Sequence, residues 1–330
     1  MMDVLIINKH IEADDIVSFE LTSTNHSSLP DASPGSHIDV KISDGIVRQY
    51  SVYNDSKQSN SYKIAVLKDP SSRGGSLTMH DRLNKGDIVS ISKPRNLFEL
   101  NDESPSYLLI AGGIGITPIL SMAEHLQAKD KQFSLHYFSR ALERTAFYDH
   151  ITNSQFADKS TFYFDGGQTV SFQKALLDAG DQTHLYVCGP NGFMDFVFSA
   201  AKKVGWSEER LHKEHFSAAP IENNSNLAFE VEIASTGAHF HIPQNRSVFE
   251  VLDEAGIDIN VSCEQGICGS CLTKVISGTP DHRDQFLSDK EHADNNVFTP
   301  CCSHCQTHWC LTFSAPLLRQ TKIIINRRVL

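Results

Sequence analysis

The pattern of apolar and polar positions changes character twice along the chain. Over about the first 100 residues, short runs such as HIDVKI, RQYSVY, YKIAVL and DIVSIS are separated by Gly, Asp, Asn and Pro, the punctuation of strands and tight turns. This texture predicts a small antiparallel β-barrel. From Tyr107 onward, apolar strand segments (YLLIAG, FSLHYF, THLYVCG) alternate with helical ones (PILSMAEHLQAK, NGFMDFVFSAAKKVG), which predicts βαβ units and a parallel sheet. The polar, helix-poor stretch AAPIENNSNL at 218–227 reads as a linker. Beyond it AFEVEIA alternates as a strand, HFHIP follows, and SVFEVLDEAG has a helical pattern that opens a third module. The expected divisions are 1–103, 104–219, a linker at 220–227, and 228–330.

A chain of 330 residues suits two or three domains of ~100–200 residues each. No run approaches the ~18 apolar residues of a membrane span, and MMDVLIINKHIEADD lacks the basic start of a secretory signal, so a cytoplasmic protein without membrane attachment is expected. A monomer is expected too. The net charge of −11 argues against nucleic-acid binding, which needs clustered Lys and Arg. Between Glu230 and Cys301 twelve acids face four bases, a local balance of −8 that suits a basic partner; a solvated acidic face explains the charge equally well. After Phe313 the sign reverses.

Seven of eight cysteines fall between Cys263 and Cys310. Clustering of this kind in a cytosolic chain favours a metal site over disulfides. Cys263, Cys268 and Cys271 form C-x4-C-x2-C, and Cys301 follows after 29 residues, the plant-type spacing of a [2Fe–2S] cluster. Gly266 and Gly269 let backbone N–H groups approach the cluster sulfides. A structural zinc site is the competing reading, though zinc ribbons prefer paired C-x2-C knuckles. Cys301 and Cys302 are adjacent, and an extended chain sends neighbours to opposite faces, so one of the two is the fourth ligand. Cys302, Cys305 and Cys310 otherwise read as free thiols.

Two further constellations suit nucleotides. In AGGIGITPIL, directly after a strand, Gly112, Gly113 and Gly115 let backbone approach a pyrophosphate; Thr117 is positioned to cap the following helix and Pro118 suits its first turn. The later YVCGPNGF ends a second strand in a similar turn, and paired turns of this kind are where open α/β sheets bind dinucleotides. In RQYS, Arg48 and Tyr50 share a strand face and Ser51 points away; Gly74, Gly75 and Ser76, with Arg73 beside them, form a second phosphate cradle. Taken singly, each of these is also an ordinary turn or core strand.

With RQYSVYND, LKDPSSRGGSLTMHD, PRNLFEL, AGGIGITPIL, YVCGPNGFMD, CEQGICGSC, PDHRDQFLSDKE and TPCCS in register, the chain resembles the phthalate dioxygenase reductase family over roughly residues 3 to 304, and within it the vanillate O-demethylase reductase subunits. The resemblance implies a flavin-binding antiparallel barrel, an NAD-binding parallel α/β domain and a C-terminal β-grasp ferredoxin of the plant [2Fe–2S] type. It implies FMN held by Arg48, Tyr50, Ser51, Gly74, Gly75 and Ser76, with Ser51 near N5. NADH would lie across Gly113, Gly115, Thr117, Ser139, Arg140, Cys188 and Pro190. Cys188 would sit near the nicotinamide and Phe216 beside the flavin, completing a catalytic set with Ser51. It assigns Cys301 as the fourth cluster ligand. The implied activity is electron transfer from NADH through FMN and the cluster to a Rieske-type terminal oxygenase. NADH is preferred to NADPH because no dense basic cluster awaits a 2′-phosphate. Alternatives are a reductase for another ferredoxin or a cytochrome, and a zinc-binding scaffold with no activity. The ending SHCQTHWCLTFSAPLLRQTKIIINRRVL departs from the relatives, so the final ferredoxin strand is expected to be replaced or displaced, leaving a weakened sheet edge. The tail after Phe313 is expected to be dispensable for the cluster.

Overall fold

A computed structural model describes residues 1–25, 27–43, 46–70, 74–167, 170–216, 227–305 and 311–313. Arg73, Cys310, residues 218–226 of the expected linker, and everything after Phe313 lie outside the described residues. The chain forms two compact units, Met1–Ser217 and Ala218–Leu330.

The first unit begins with β1 (Met2–Ala13), β2 (Ile16–Ser23), β3 (Ser36–Ser43), β4 (Ile46–Ser51), the short α1 (Ser56–Ser59), β5 (Tyr62–Leu67), α2 (Gly75–Asp81), β6 (Ile88–Ile91) and β7 (Arg95–Asn96). All strand pairs are antiparallel, in the order β4-β3-β6-β1-β2-β5, with β7 on β3. A bridge between Val52 and Ile64 carries the end of β4 onto β5 and closes the sheet as a barrel. Alternation along the strands sends Val4, Ile6, Phe19, Leu21, Ile38, Val40, Tyr62, Ile64 and Ile91 into one core.

The parallel sheet follows: β8 (Ser106–Gly112), α3 (Ile116–Ala128), β9 (Gln132–Phe138), α4 (Tyr148–Thr152), β10 (Ser160–Tyr163), α5 (Val170–Asp178), β11 (Thr183–Cys188), α6 (Asn191–Lys203) and β12 (Leu211–Glu214). The strand order is β10-β9-β8-β11-β12. Successive strands run outward from β8 in one direction, then in the other, so a switch point falls between β8 and β11. Apolar layers cover both faces, α3 on one and α5 with α6 on the other. The expected division at 103/104 falls between β7 and β8.

The second unit has β13 (Phe229–Ile233), β14 (Ala238–Ile242), α7 (Val248–Glu254), β15 (Thr273–Ser277), β16 (Pro280–Asp281), α8 (Asp289–Asp294), β17 (Val297–Phe298), β18 (His304–Cys305) and β19 (Leu311–Phe313). Ser247 with Glu250, and Ser288 with Glu291, form reciprocal capping boxes that start α7 and α8. The sheet order is β14-β13-β19-β15-β17, a mixed sheet with α7 packed beside it. Here the expectation of a displaced final strand fails for residues 311–313, while the apolar stretch after Phe313 on which the weakened edge rested lies outside the described residues. β19, drawn from the divergent ending, runs parallel to β13 and antiparallel to β15, so it is an interior strand paired on both sides. Three β-compatible residues, LTF, fill that slot.

Candidate functional site

In the second unit the thiol-bearing loop is bent by three residues with left-handed backbone: Glu264 (φ 55°), Gly266 (φ 74°) and Gly269 (φ 64°). A side chain on Gly266 would come within 2.4 Å of Cys302 Sγ, and one on Gly269 within 2.4 Å of the Phe286 ring, so both must be glycine. The backbone N–H groups that point at sulfur come instead from Gln265, 3.3 Å from Cys263 Sγ, and Ser270, 3.4 Å from Cys268 Sγ.

Cys263, Cys268, Cys271 and Cys301 are all buried. The sulfurs of Cys271 and Cys301 lie 3.3 Å apart. Cys263 interacts with Cys268 and Cys301, and hydrogen bonds to its sulfur from these two thiols hold it far below the usual thiol range. Four soft donors therefore converge on one point, the donor chemistry of an iron–sulfur centre.

The geometry that was to separate Cys301 from Cys302 is not an extended strand. Residues 301 and 302 lie in a turn, with the Cys302 N–H donating to the Thr299 carbonyl at 3.2 Å. What separates the two thiols is packing: Cys302 Sγ sits 3.2 Å from Thr299 Oγ1 and against Gly266, while Cys301 joins the other three. Cys305 is buried, with its thiol 3.5 Å from the Thr279 carbonyl.

In the first unit the two glycine turns meet at the switch point. A Cβ on Gly115 would lie 2.3 Å from the Cys188 carbonyl oxygen, so the turn after β8 touches the turn after β11. Gly113 adopts φ 55°. Pro190 precedes α6, and its carbonyl accepts the first two hydrogen bonds of that helix, from Phe193 and Met194. Phe193 packs over both Gly112 and Gly189, a role that NGFMD did not announce. Thr117 does not cap. The helix starts two residues earlier, at Ile116 after Gly115, and the buried Thr117 hydroxyl donates to the Ile114 carbonyl at 3.1 Å. Ser139 and Arg140 follow β9; the Ser139 hydroxyl lies 2.5 Å from Thr145 Oγ1, and Arg140 is exposed.

On the barrel, a Cβ at Gly75 would lie 2.9 Å from Arg48 Cγ, so the guanidinium arm lies on the Gly74–Gly75–Ser76 turn. The Ser76 hydroxyl accepts from the Asp69 N–H at 3.1 Å. Burial pushes the Tyr50 hydroxyl well above its usual range, with the Arg48 charge opposing. Ser51 Oγ is fully buried and has no hydrogen-bond partner among the described residues. An orphaned hydroxyl of that kind is a donor waiting for a ligand atom. The residues present fit a phosphorylated flat ring. Phe216, just after β12, is exposed.

Glu214 went unnoticed in the sequence. It pairs with Cys188 across β11 and β12, its side chain is only 12% exposed, and His37 Nδ1 lies 3.9 Å from its Oε1. Burial raises its carboxyl to about 8. Burial first, and Glu214 second, lift the Cys188 thiol well above its usual value. No motif flags an acid on LHKE, because its partners come from β3 and β11. A cleft of about 1240 Å³ also opens in this unit, lined by Glu12, Tyr53, Glu124, Phe147 and His150 among others; none of the predicted nucleotide residues borders it.

A closed barrel, a parallel sheet with its switch point, and a unit presenting four convergent thiols define an electron-transferring iron–sulfur oxidoreductase. Residues 231–306 match the 2Fe-2S iron-sulfur cluster binding domain, and residues 90–211 match the N-terminal domain of the dimethylamine monooxygenase subunit DmmA-like family. The chain is 47% identical over 310 residues to a vanillate O-demethylase oxidoreductase of Pseudomonas sp. (strain HR199 / DSM 7063), covering 93% of this chain and 98% of that one. It is 40% identical to a phthalate dioxygenase reductase of Burkholderia cepacia, covering 87% and 89%. The solved structure of phthalate dioxygenase reductase, described as modular for electron transfer from pyridine nucleotides to [2Fe-2S], superposes with a TM-score of 0.75 at 38% identity over 95% of this chain and 97% of that one. An intact type IV self-sufficient cytochrome P450 monooxygenase matches with a TM-score of 0.81 at 32% identity, covering 94% of this chain and 40% of its own. The chain belongs to the phthalate dioxygenase reductase family, with the vanillate O-demethylase oxidoreductases among its relatives.

Proposed function

We propose that this chain is the cytoplasmic, monomeric reductase component of a two-component, vanillate demethylase-like oxygenase, using NADH, FMN and a [2Fe–2S] cluster to supply a Rieske-type terminal oxygenase. FMN, when bound, would supply the exchange between two-electron and one-electron chemistry, and a [2Fe–2S] cluster held by the thiols would supply single-electron transfer. The chain's own residues bind and orient. Arg48, Gly74, Gly75 and Ser76 hold the flavin phosphate, Tyr50 packs on its ring, Ser51 offers its unpaired hydroxyl, and Phe216 covers the exposed side. Gly113, Gly115, Thr117, Ser139, Arg140, Cys188 and Pro190 border the dinucleotide. Cys263, Cys268, Cys271 and Cys301 grip the cluster. No acid–base triad is required, because orientation supplies most of the rate.

The observation that carries this reading is the convergence of four buried thiols in a unit matching the cluster-binding domain. Anaerobically purified protein is expected to contain two irons and two acid-labile sulfides per chain, together with one FMN, and to bleach with NADH faster than with NADPH. Folded protein lacking iron and sulfide overturns the proposal. A second reading, a cytochrome as acceptor, is favoured by the P450 chain that carries a module like this one within itself. Mixing the reduced protein with a Rieske oxygenase and with a P450 from the same cell separates the two, since only the true acceptor turns over at catalytic reductase concentrations.

A further inference from the structure

His282, Asp284 and His292 lie outside the thiol cluster and play no part in the reading above. Each offers one ligand atom, and these atoms all fall within 4.8 Å of one another. Three segments meet there: His282 follows β16, Asp284 lies in the next loop against Gly266, and His292 is on α8. Their side chains are 8%, 0% and 27% exposed.

The surrounding hydrogen bonds orient the His282 ring. Asn295 Nδ2 donates to the Ala293 carbonyl at 3.1 Å, which turns its Oδ1 toward His282 Nε2, also at 3.1 Å. An amide oxygen only accepts, so Nε2 is the ring nitrogen that donates to it, and Nδ1 is the nitrogen left to face Asp284. Nδ1 is buried with no hydrogen-bond partner among the described residues, and it faces Asp284 Oδ1 at 3.8 Å, too far for a hydrogen bond. On the other side His292 Nε2 stands 3.3 Å from Asp284 Oδ2. A cation placed between Nδ1 and the buried carboxylate would give both a partner.

The supports of a metal site are also in place. Metal-bound histidines donate their second ring N–H to an oxygen, and ligating carboxylates are themselves hydrogen-bonded. Asn295 supplies the first support. The Leu287 N–H, 2.8 Å from Asp284 Oδ2, and the Thr299 hydroxyl, 3.3 Å from Oδ1, supply the second.

We propose that His282, Asp284 and His292 bind a borderline divalent metal ion of the Zn²⁺ class, with an open position on the half-exposed His292 side. Two imidazoles and one carboxylate disfavour Ca²⁺ and Mg²⁺, which want oxygen throughout. The ion ties α8 to the segment behind the cluster loop. It is separate from the cluster, whose ligands are thiols.

The test uses the full-length protein with its cluster intact. After brief chelator treatment, Zn²⁺ is added, the excess is removed by gel filtration, and zinc and iron are counted per chain by mass spectrometry. The expected result is one retained zinc with iron unchanged. His292→Ala weakens zinc binding by more than about tenfold. Asn295→Gly, which removes the oxygen orienting His282 together with the amide bond to the Ala293 carbonyl and suits that residue's left-handed backbone (φ 50°), weakens it by about tenfold. Iron content and the visible spectrum stay at wild-type values in both variants. Wild-type protein that retains no zinc overturns the proposal. Equal zinc in wild type and His292→Ala, or zinc gained at the expense of iron, overturns it as well.

Discussion

Single residues decide the chemistry here through what is packed against them. Cys301 and Cys302 are chemically identical neighbours, yet Cys302 is taken by Thr299 and Gly266 while Cys301 lies against Cys271. Cys301→Ser is therefore expected to abolish iron binding, and Cys302→Ser to leave two irons per chain, as counted by iron assay and electron paramagnetic resonance. Glu214 makes a pH-dependent prediction. Its folded carboxyl titrates at about 8, above the ordinary value of 4.5, because burial penalises the charge. Between those two values the folded protein holds a proton that the unfolded chain has released, so stability falls as pH rises through this window and levels off above about 8. Glu214→Gln removes that dependence. The Tm advantage of the variant over wild type should grow from pH 5 to pH 8; a constant difference would place the titration elsewhere.

At the scale of elements, three residues of an unusual ending form an interior strand. β19 bridges β13 and β15, so the sheet of the second unit depends on it. A chain ending at Phe313 should retain its full iron content, whereas one ending at Cys305 should lose both the sheet and the cluster, read by circular dichroism and iron assay. The two glycine turns show the same dependence on neighbours. That AGGIGITPIL follows a strand was legible from its glycines and apolar run. That Gly115 touches the Cys188 carbonyl was not, because the two lie over seventy positions apart and meet only when β8 pairs with β11.

At the scale of the molecule, charge bears on the docking of the proposed partner. The second unit's −8 balance over Glu230–Cys301 suits a basic docking face, so reduction of the terminal acceptor should slow several-fold between low salt and about 0.5 M salt, where screening is nearly complete at contact distances. A salt-independent rate, measured by stopped flow, would rule out charge-guided docking. The order of barrel, parallel sheet and thiol-bearing unit was readable from periodicity and cysteine spacing, as were the candidate thiols and glycine turns; the individual cofactor roles of the strand residues came from the family resemblance. These are local properties: a period of two or 3.6, a turn that needs glycine, a loop short enough to bring sulfurs together. The tertiary structure supplied the packing that sets Cys301 apart from Cys302, and it alone decided that Ser51 is left without a partner among the described residues, that Glu214 is pressed against Cys188 and His37, and that His282, Asp284 and His292 meet. Each of those depends on contacts between segments far apart in the chain, and no local pattern records which distant segment will be brought alongside.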